Sequence, residues 1–247
     1  MAPTRIIGSP VSPFVRKVLI ACALKGVAVE LDPIVPFFGS DDFTAISPLR
    51  KIPVLIDDEV TLSDSSAIGE YLNERYPTPP LLPAGAGARG RARWVEEVAD
   101  TVLADVLLFG IFTTAVVRPG VWKEPRDEAR IAGLLTERLP PVMAVLEGLA
   151  PSEGFLFGAL TTSDIAVAVH FANLGWSRTG ADLSAWPRTA AWTTRVEAVP
   201  DVARLTQFAE RFLTTRIDAR PALFETFGMT LAASTVGGRT PRPGLMG

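Results

Sequence analysis

Strand and helix signals alternate through the first eighty residues of this chain, and then the strand signals stop. TRIIG (Thr4 to Gly8) is a short β-branched run. SPVSPFVRKVLIACALKG reads as a turn and a helix, with Ser12 as N-cap, Pro13 at the first helical position and Lys25-Gly26 as a basic last turn and glycine stop. VAVELDPIV (Val27 to Val35) alternates as a strand, and SDDFTAI suits one or two helical turns. Ile52 to Asp58 and Val60 to Leu62 read as a hairpin. Asp64 to Pro77 is a helix with Ala67, Ile68, Tyr71, Leu72 and Arg75 on one face. The order is β-α-β-α-β-β-α, with the first two strands parallel across a helical crossover and the last two antiparallel. TPPLLPAGAGARGR (Thr78 to Arg91) then reads as a linker. Helices are predicted beyond it at 89–117, 125–149, 161–176, 186–198 and 200–214. In the third of these, Thr161 and Asp164 stand at capping-box spacing, and Ile165 to Ala172 is apolar on almost every side except His170, the mark of a buried central helix.

Charge and residue usage exclude several function classes. Lys plus Arg is 24 and Asp plus Glu is 27, so the formal net charge is 24 − 27 = −3. That balance argues against nucleic acid and against a polybasic membrane surface. Cys22 is the only cysteine and His170 the only histidine. An intrachain disulfide, a Cys/His zinc site and a multi-His metal cluster are therefore excluded, and no metal is expected. No G-x-S-x-G elbow supports a Ser-His-Asp triad. The greasiest stretch, Val102 to Val117, contains Asp105 and falls short of the roughly 20 apolar residues of a membrane span. VLIACAL after Arg16-Lys17 imitates a signal peptide, but Val15, Val18, Leu19 and Cys22 recur at the spacing of an amphipathic core helix. With its lone thiol, the chain reads as cytoplasmic.

Three segments suggest chemistry. Ser12-Pro13-Phe14-Val15 opens the first helix directly after the first strand, where free backbone N–H groups favour an anion such as a thiolate. Redox proteins of this β-α-β layout carry Cys-Pro-x-Cys here; Ser12 and Val15 replace both cysteines, so dithiol exchange with the chain's own sulfur is impossible. A serine hydroxyl can still donate to a ligand's thiolate, worth about 1.5–3 kcal/mol. Lys51-Ile52-Pro53-Val54 enters the third strand, and a cis proline there would leave the Ile52 backbone free to pair with a ligand. Asp64-Ser65-Ser66 opens the next helix, where N–H groups and a hydroxyl can hold a carboxylate and Asp64 an ammonium. Each segment also has a plain reading: an N-cap, a trans proline at a strand start, and helix capping alone.

Together these segments resemble the glutathione transferase family. SPFVRKV, KIPVL, DSSAIGEYL and GALTTSDIAV look like its four recurring segments, in register over residues 4–213. The resemblance implies an α/β thioredoxin-like N-terminal domain followed by an all-α C-terminal domain, with boundaries at 1–78, a linker at 79–88, a helical domain at 89–215 and a C-terminal extension at 216–247. It gives Ser12 the thiol-activating role of the serine-type enzymes, Ile52 the backbone contact to the cysteinyl part of glutathione, and Pro53 the cis-proline place. Asp64 and Ser65 match the Glu/Gln-Ser pair that holds the γ-glutamyl group, with Asp64 one methylene shorter than the usual Glu. Lys51 matches a position that binds the tripeptide's carboxylate.

The function implied is a glutathione transferase with glutathione as co-substrate, acting on a small apolar electrophile, as a homodimer. The alternatives are a non-catalytic carrier or interaction module of the same fold, and a glutathione-dependent isomerase or dehalogenase. Phe14, Phe109 and Phe112 are candidates to line the electrophile pocket. Cys22 is expected as core filler, His170 as a buried polar residue, Arg89, Arg91 and Arg93 as a solvated helix start, and Asp164 as structural. The extension carries Leu223, Phe224, Phe227, Met229 and Leu231, too much apolar surface for water, and is expected to lie over a neighbouring apolar groove, of its own subunit or its partner, and to modulate the electrophile site rather than glutathione binding. GGRTPRPGLMG, which closes the chain, is expected to be mobile.

Overall fold

A computed structural model describes residues 4–242 of the protein. The chain forms two compact units, one from 1–79 together with 203–247, the other from 80–202.

The first unit is built on a mixed sheet. β1 (Thr4–Ile7) runs parallel to β2 (Val29–Asp32) and antiparallel to β3 (Val54–Ile56), which pairs antiparallel with β4 (Thr61–Ser63). The connections are those the sequence predicts, and the layout is the thioredoxin-like one. α1 (Pro13–Leu24) buries Val15, Val18, Leu19 and Cys22, as their period requires. It also buries Arg16 and Lys17, which the period assigns to solvent. The Arg16 guanidinium is tolerated because it donates to the Pro10 and Val11 carbonyls, 3.2 and 3.3 Å, and the Lys17 ammonium reaches the Ser66 hydroxyl at 3.3 Å. α1 stops at Gly26, whose φ of 67° is left-handed. α2 (Asp41–Ile46) is capped by Ser40, and α3 (Ser65–Arg75) by Asp64. The buried side of α3 is Ser65, Ile68, Gly69 and Leu72; Ala67, predicted on that face, is exposed.

The turn joining β3 to β4 is closed by Asp57. Its carboxylate accepts from the backbone N–H groups of Glu59 and Val60 and from the Tyr71 hydroxyl at 2.6 Å. Burial pushes the Asp57 carboxyl up, but the Tyr71 hydroxyl and these N–H groups outweigh it, and the net shift is downward. Stability from Asp57 is then fully present above the ordinary carboxylate range and lost as pH falls through its lowered folded value. Asp57→Asn is expected to lower the thermal midpoint at neutral pH and to flatten its fall between about pH 5 and pH 3. Equal slopes for both proteins over that window would contradict this.

The C-terminal segment belongs to this unit. After α9 (Pro200–Thr214) and α10 (Pro221–Thr226), β5 (Thr230–Leu231) pairs parallel with β2, giving the order β4-β3-β1-β2-β5. Phe208 of α9 meets Phe224 edge-on at 5.3 Å and Phe227 at 5.6 Å, and the Arg220 guanidinium lies 4.3 Å from the centre of the Phe212 ring. By their contacts, α9 from Ala203 onward and the tail group with the first unit. The extension's strand closes the β2 edge of the sheet. Gly238 and Arg242 make backbone bonds to the Phe38 and Phe37 carbonyls, so this much of the expected mobile end is held. Residues 243–247 lie outside the described residues.

The second unit is helical: α4 (Ala86–Trp122), α5 (Glu128–Gly133), α6 (Leu139–Leu149), α7 (Thr162–Trp176) and α8 (Pro187–Glu197). α4 starts inside the predicted linker and widens into i→i+5 turns from Ala99 on. By length and composition it could cross a membrane, yet half of its most apolar window is buried inside the fold, as in a core helix. α7 is the central helix, with Ile165 to Val169 and His170 buried, and the Thr161–Asp164 capping box is formed.

Candidate functional site

Strand pairing brings the three predicted segments of the first unit to one end of its sheet. Ile7 is opposite Val54, and Val54 is opposite Ser63. The residues just beyond these pairs are Gly8 leaving β1, Pro53 entering β3 and Asp64 leaving β4. Gly8 has φ 143°, and a Cβ there would lie 2.6 Å from Val15 Cγ2 and 2.9 Å from Ile52 Cβ. The loop before Ser12, the first turn of α1 and Ile52 therefore meet at a point where only glycine fits.

Ser12 is the N-cap of α1, with extended backbone at φ −65° and ψ 127°. Its Oγ accepts from the Val15 N–H at 3.5 Å, which leaves the hydroxyl proton available for a ligand. The helix N-terminus adds positive potential. Arg16, buried one turn along, grips the Pro10 and Val11 carbonyls and holds the loop that leads into Ser12. Sequence reasoning missed this residue; a charged side chain inside an otherwise apolar helix run was the available signal. Phe14 is half-buried beside it in sequence.

The Ile52–Pro53 bond is cis, as the KIPVL segment implies, and so is Thr78–Pro79, which nothing in the sequence reading singled out. Pro53 is buried and Lys51 exposed. The approach to Pro53 is fixed by Ser47, fully buried, whose Oγ accepts from the Lys51 N–H at 3.1 Å and donates to the Lys51 carbonyl at 2.9 Å. Ser47 is a second residue the sequence reading did not name.

Asp64 has φ 139° and ψ 131°, a strained backbone for a residue with a Cβ. Its Oδ1 accepts from the Ser66 and Ala67 N–H groups at 2.9 and 3.0 Å. The shorter side chain thus caps α3 itself, and Oδ2 is the oxygen left for an ammonium. Ser65 is buried at the first helical position, where its N–H has no intrahelical acceptor. The capping reading and the binding reading of this pair coexist in one geometry.

Phe109 and Phe112 belong to the second unit. Phe112 is 3% exposed, a core position, and Phe109 is half-buried. Cys22 is buried on α1, and burial pushes its thiol up to about 12, with Lys25 nearby opposing the shift. A neutral, enclosed thiol is a poor nucleophile. Native protein is expected to leave a disulfide reagent such as Ellman's unreacted over an hour at pH 8, and unfolded protein to react at one thiol per chain; prompt labelling of the native protein would contradict this. Among the described residues no group of three or more His, Cys, Asp or Glu side chains could hold a metal ion.

Residues 6–80 match the family model of the glutathione S-transferase N-terminal domain. Over 78 residues the chain is 44% identical to a stringent starvation protein A homolog of Haemophilus ducreyi, an alignment covering 32% of this chain and 36% of that protein. The chain is thus matched over only about a third of that relative's length. Over 210 residues, 81% of this chain and 91% of the relative, it is 29% identical to glutathione S-transferase 3 of Zea mays. A solved maleylacetoacetate isomerase from Methylobacterium extorquens AM1, with malonate and glutathione bound, is 27% identical, with TM-score 0.69 over 83% of this chain and 97% of that one. The thioredoxin-like sheet followed by helices, the match at 6–80 and the likeness along most of the chain agree: residues 6–80 form a glutathione S-transferase N-terminal domain, and the chain has the glutathione S-transferase fold.

Proposed function

We propose that the protein is a glutathione transferase that activates the thiol of glutathione for attack on a small apolar electrophile. The observation that carries this reading is the convergence of Ser12, Ile52–Pro53 and Asp64–Ser65 on one end of the sheet. Asp64 Oδ2 and the Ser65 N–H and hydroxyl take the ammonium and carboxylate of the γ-glutamyl group. The Ile52 backbone pairs with the cysteinyl residue, and Lys51 meets the glycyl carboxylate. The thiol loses its proton to solvent, and the Ser12 hydroxyl and the α1 N-terminus stabilise the thiolate left behind. The thiolate then forms a carbon–sulfur bond, by displacing a leaving group or by adding to an activated double bond. The protein supplies orientation and a lowered thiol pKa. Homodimer formation belongs to the same reading: Trp94 and Val102, about half exposed on α4, leave apolar surface for a twofold contact.

Likeness to a maleylacetoacetate isomerase favours a second reading, in which glutathione adds to a double bond and is expelled after rotation. Retention on immobilised glutathione with elution by free glutathione tests the binding claim. Turnover of aryl halides and unsaturated carbonyls with loss of one thiol per product supports the transferase. Turnover of a cis-unsaturated diacid without thiol loss supports the isomerase. Retention with no turnover of either class indicates a carrier.

A further inference from the structure

We propose that the C-terminal strap, residues 230–242, is a positioning element of the glutathione site. This rests on the glutathione reading above. The strap is anchored on Asp32 at the end of β2. The Asp32 carboxylate is buried and accepts from Arg5 Nη2 at 2.8 Å, Thr235 Oγ1 at 2.8 Å and the Val236 N–H at 2.9 Å. Arg5 also donates to the Ser234 carbonyl at 2.9 Å. Two of the three donors to a buried carboxylate thus come from a segment some two hundred residues away in sequence.

From this anchor the strap takes hold of the loop between β2 and α2. The Ser40 N–H donates to the Val236 carbonyl at 2.9 Å, and Gly39 bridges antiparallel to Gly237. The Gly238 N–H donates to the Phe38 carbonyl and the Arg242 N–H to that of Phe37, the latter at 2.7 Å. The two flanking carbonyls, Pro36 and Gly39, each accept from Arg50 Nη2 at 3.0 Å, and Arg50 Nη1 reaches Thr44 Oγ1 at 2.6 Å. The loop is therefore held from one side by the strap and from the other by Arg50, the residue before Lys51. Arg50 has a left-handed φ of 51°, a conformation that needs such support.

Packing repeats the connection. Val236 lies against the cluster of Ile7, Ile34, Phe43 and Val54, and Ile52 packs on the same cluster. One apolar body thus joins the strap to both neighbours of Pro53. The backbone of Ile52 must be presented at a fixed angle to pair with a peptide ligand, and a ligand that must first order its own site binds more weakly. A strap that pre-orders 36–52 acts on glutathione affinity and leaves the chemical step at Ser12 alone.

The test is the full-length chain with Thr235→Val and Val236→Ala together, which removes the hydroxyl bond to Asp32 and part of the packing but keeps the backbone. Three readouts are compared with the unaltered chain: amide hydrogen exchange over 36–52, KM for glutathione against kcat, and KM for the electrophile. Exchange over 36–52 should quicken and KM for glutathione should rise by about tenfold, with kcat within about twofold and the electrophile KM unmoved. A lowered thermal midpoint with exchange and both KM values unchanged would overturn the proposal, leaving the tail a purely structural strand. A change confined to the electrophile KM would overturn it too. Failure of the unaltered chain to bind glutathione contradicts the proposed function itself and this assignment with it, whereas binding with an unmoved KM contradicts the strap alone.

Discussion

Replacing Ser12 by alanine is expected to lower turnover by about 10–100-fold while leaving glutathione affinity within about threefold. In the proposed function the hydroxyl acts on the anion: its proton, left available by the Val15 N–H at Oγ, would be donated to a thiolate more strongly than to a thiol. A hydrogen bond to a charged group is worth about 1.5–3 kcal/mol, which corresponds to roughly one to two units of thiol pKa. In the variant, bound glutathione should therefore titrate at higher pH, seen as the rise of thiolate ultraviolet absorbance. The remaining rate comes from the α1 N-terminus and from orientation. Turnover and bound-thiol titration both unchanged in Ser12→Ala would remove Ser12 from the chemistry.

Asp164→Ala is expected to destabilise the helical unit by about 3–5 kcal/mol, one of the largest effects a single substitution can have here. The carboxylate is fully buried. It accepts from the Thr161 N–H at 2.9 Å, the Thr161 hydroxyl at 2.6 Å, the Leu156 N–H at 3.0 Å and Trp192 Nε1 at 2.8 Å. Alanine leaves four donors in an interior without an acceptor, and each costs about 1–3 kcal/mol before relaxation. One side chain thus caps α7, pins the loop before it and holds the indole of α8. The thermal midpoint should fall by about 10 °C, at a scale of roughly 2–4 °C per kcal/mol for a chain this long. Well below that midpoint KM for glutathione should be unaltered, because Asp164 touches nothing in the candidate site. A midpoint within about 2 °C of the original would show that water or repacking satisfies these donors.

Local chemistry made the backbone features around the candidate site legible. Ser12 before Pro13, the proline of KIPVL and the Thr161–Asp164 spacing are signals carried within a few residues, and the folded chain uses each as its neighbours imply. Long-range features were not readable in the same way. β5 is two residues long, its partner lies in β2, and no alternation in TLAAS marks it as a strand. Only the buried carboxylate of Asp32 and the exposed edge of β2 give it a place. The apolar residues of the tail are too many for water, but hydrophobicity names no partner, and the partners are Phe208 and the sheet edge. α4 begins at Ala86, despite Gly87 and Gly90, because buried Ala92, Val95 and Ala99 anchor its face, and packing overrides the propensity cost of glycine. The burial of Arg16 and Lys17 was hidden because periodicity counts apolar residues only, whereas a carbonyl or a hydroxyl can bring a cation inside.

The most direct measurement of the central claim is a crystal structure of the protein with glutathione at saturating concentration. The sulfur is expected within hydrogen-bond distance of Ser12 Oγ, the cysteinyl backbone paired with Ile52, and the γ-glutamyl ammonium at Asp64 Oδ2 with its carboxylate on Ser65. Glutathione bound with its sulfur away from Ser12, or no glutathione at that end of the sheet, would contradict it.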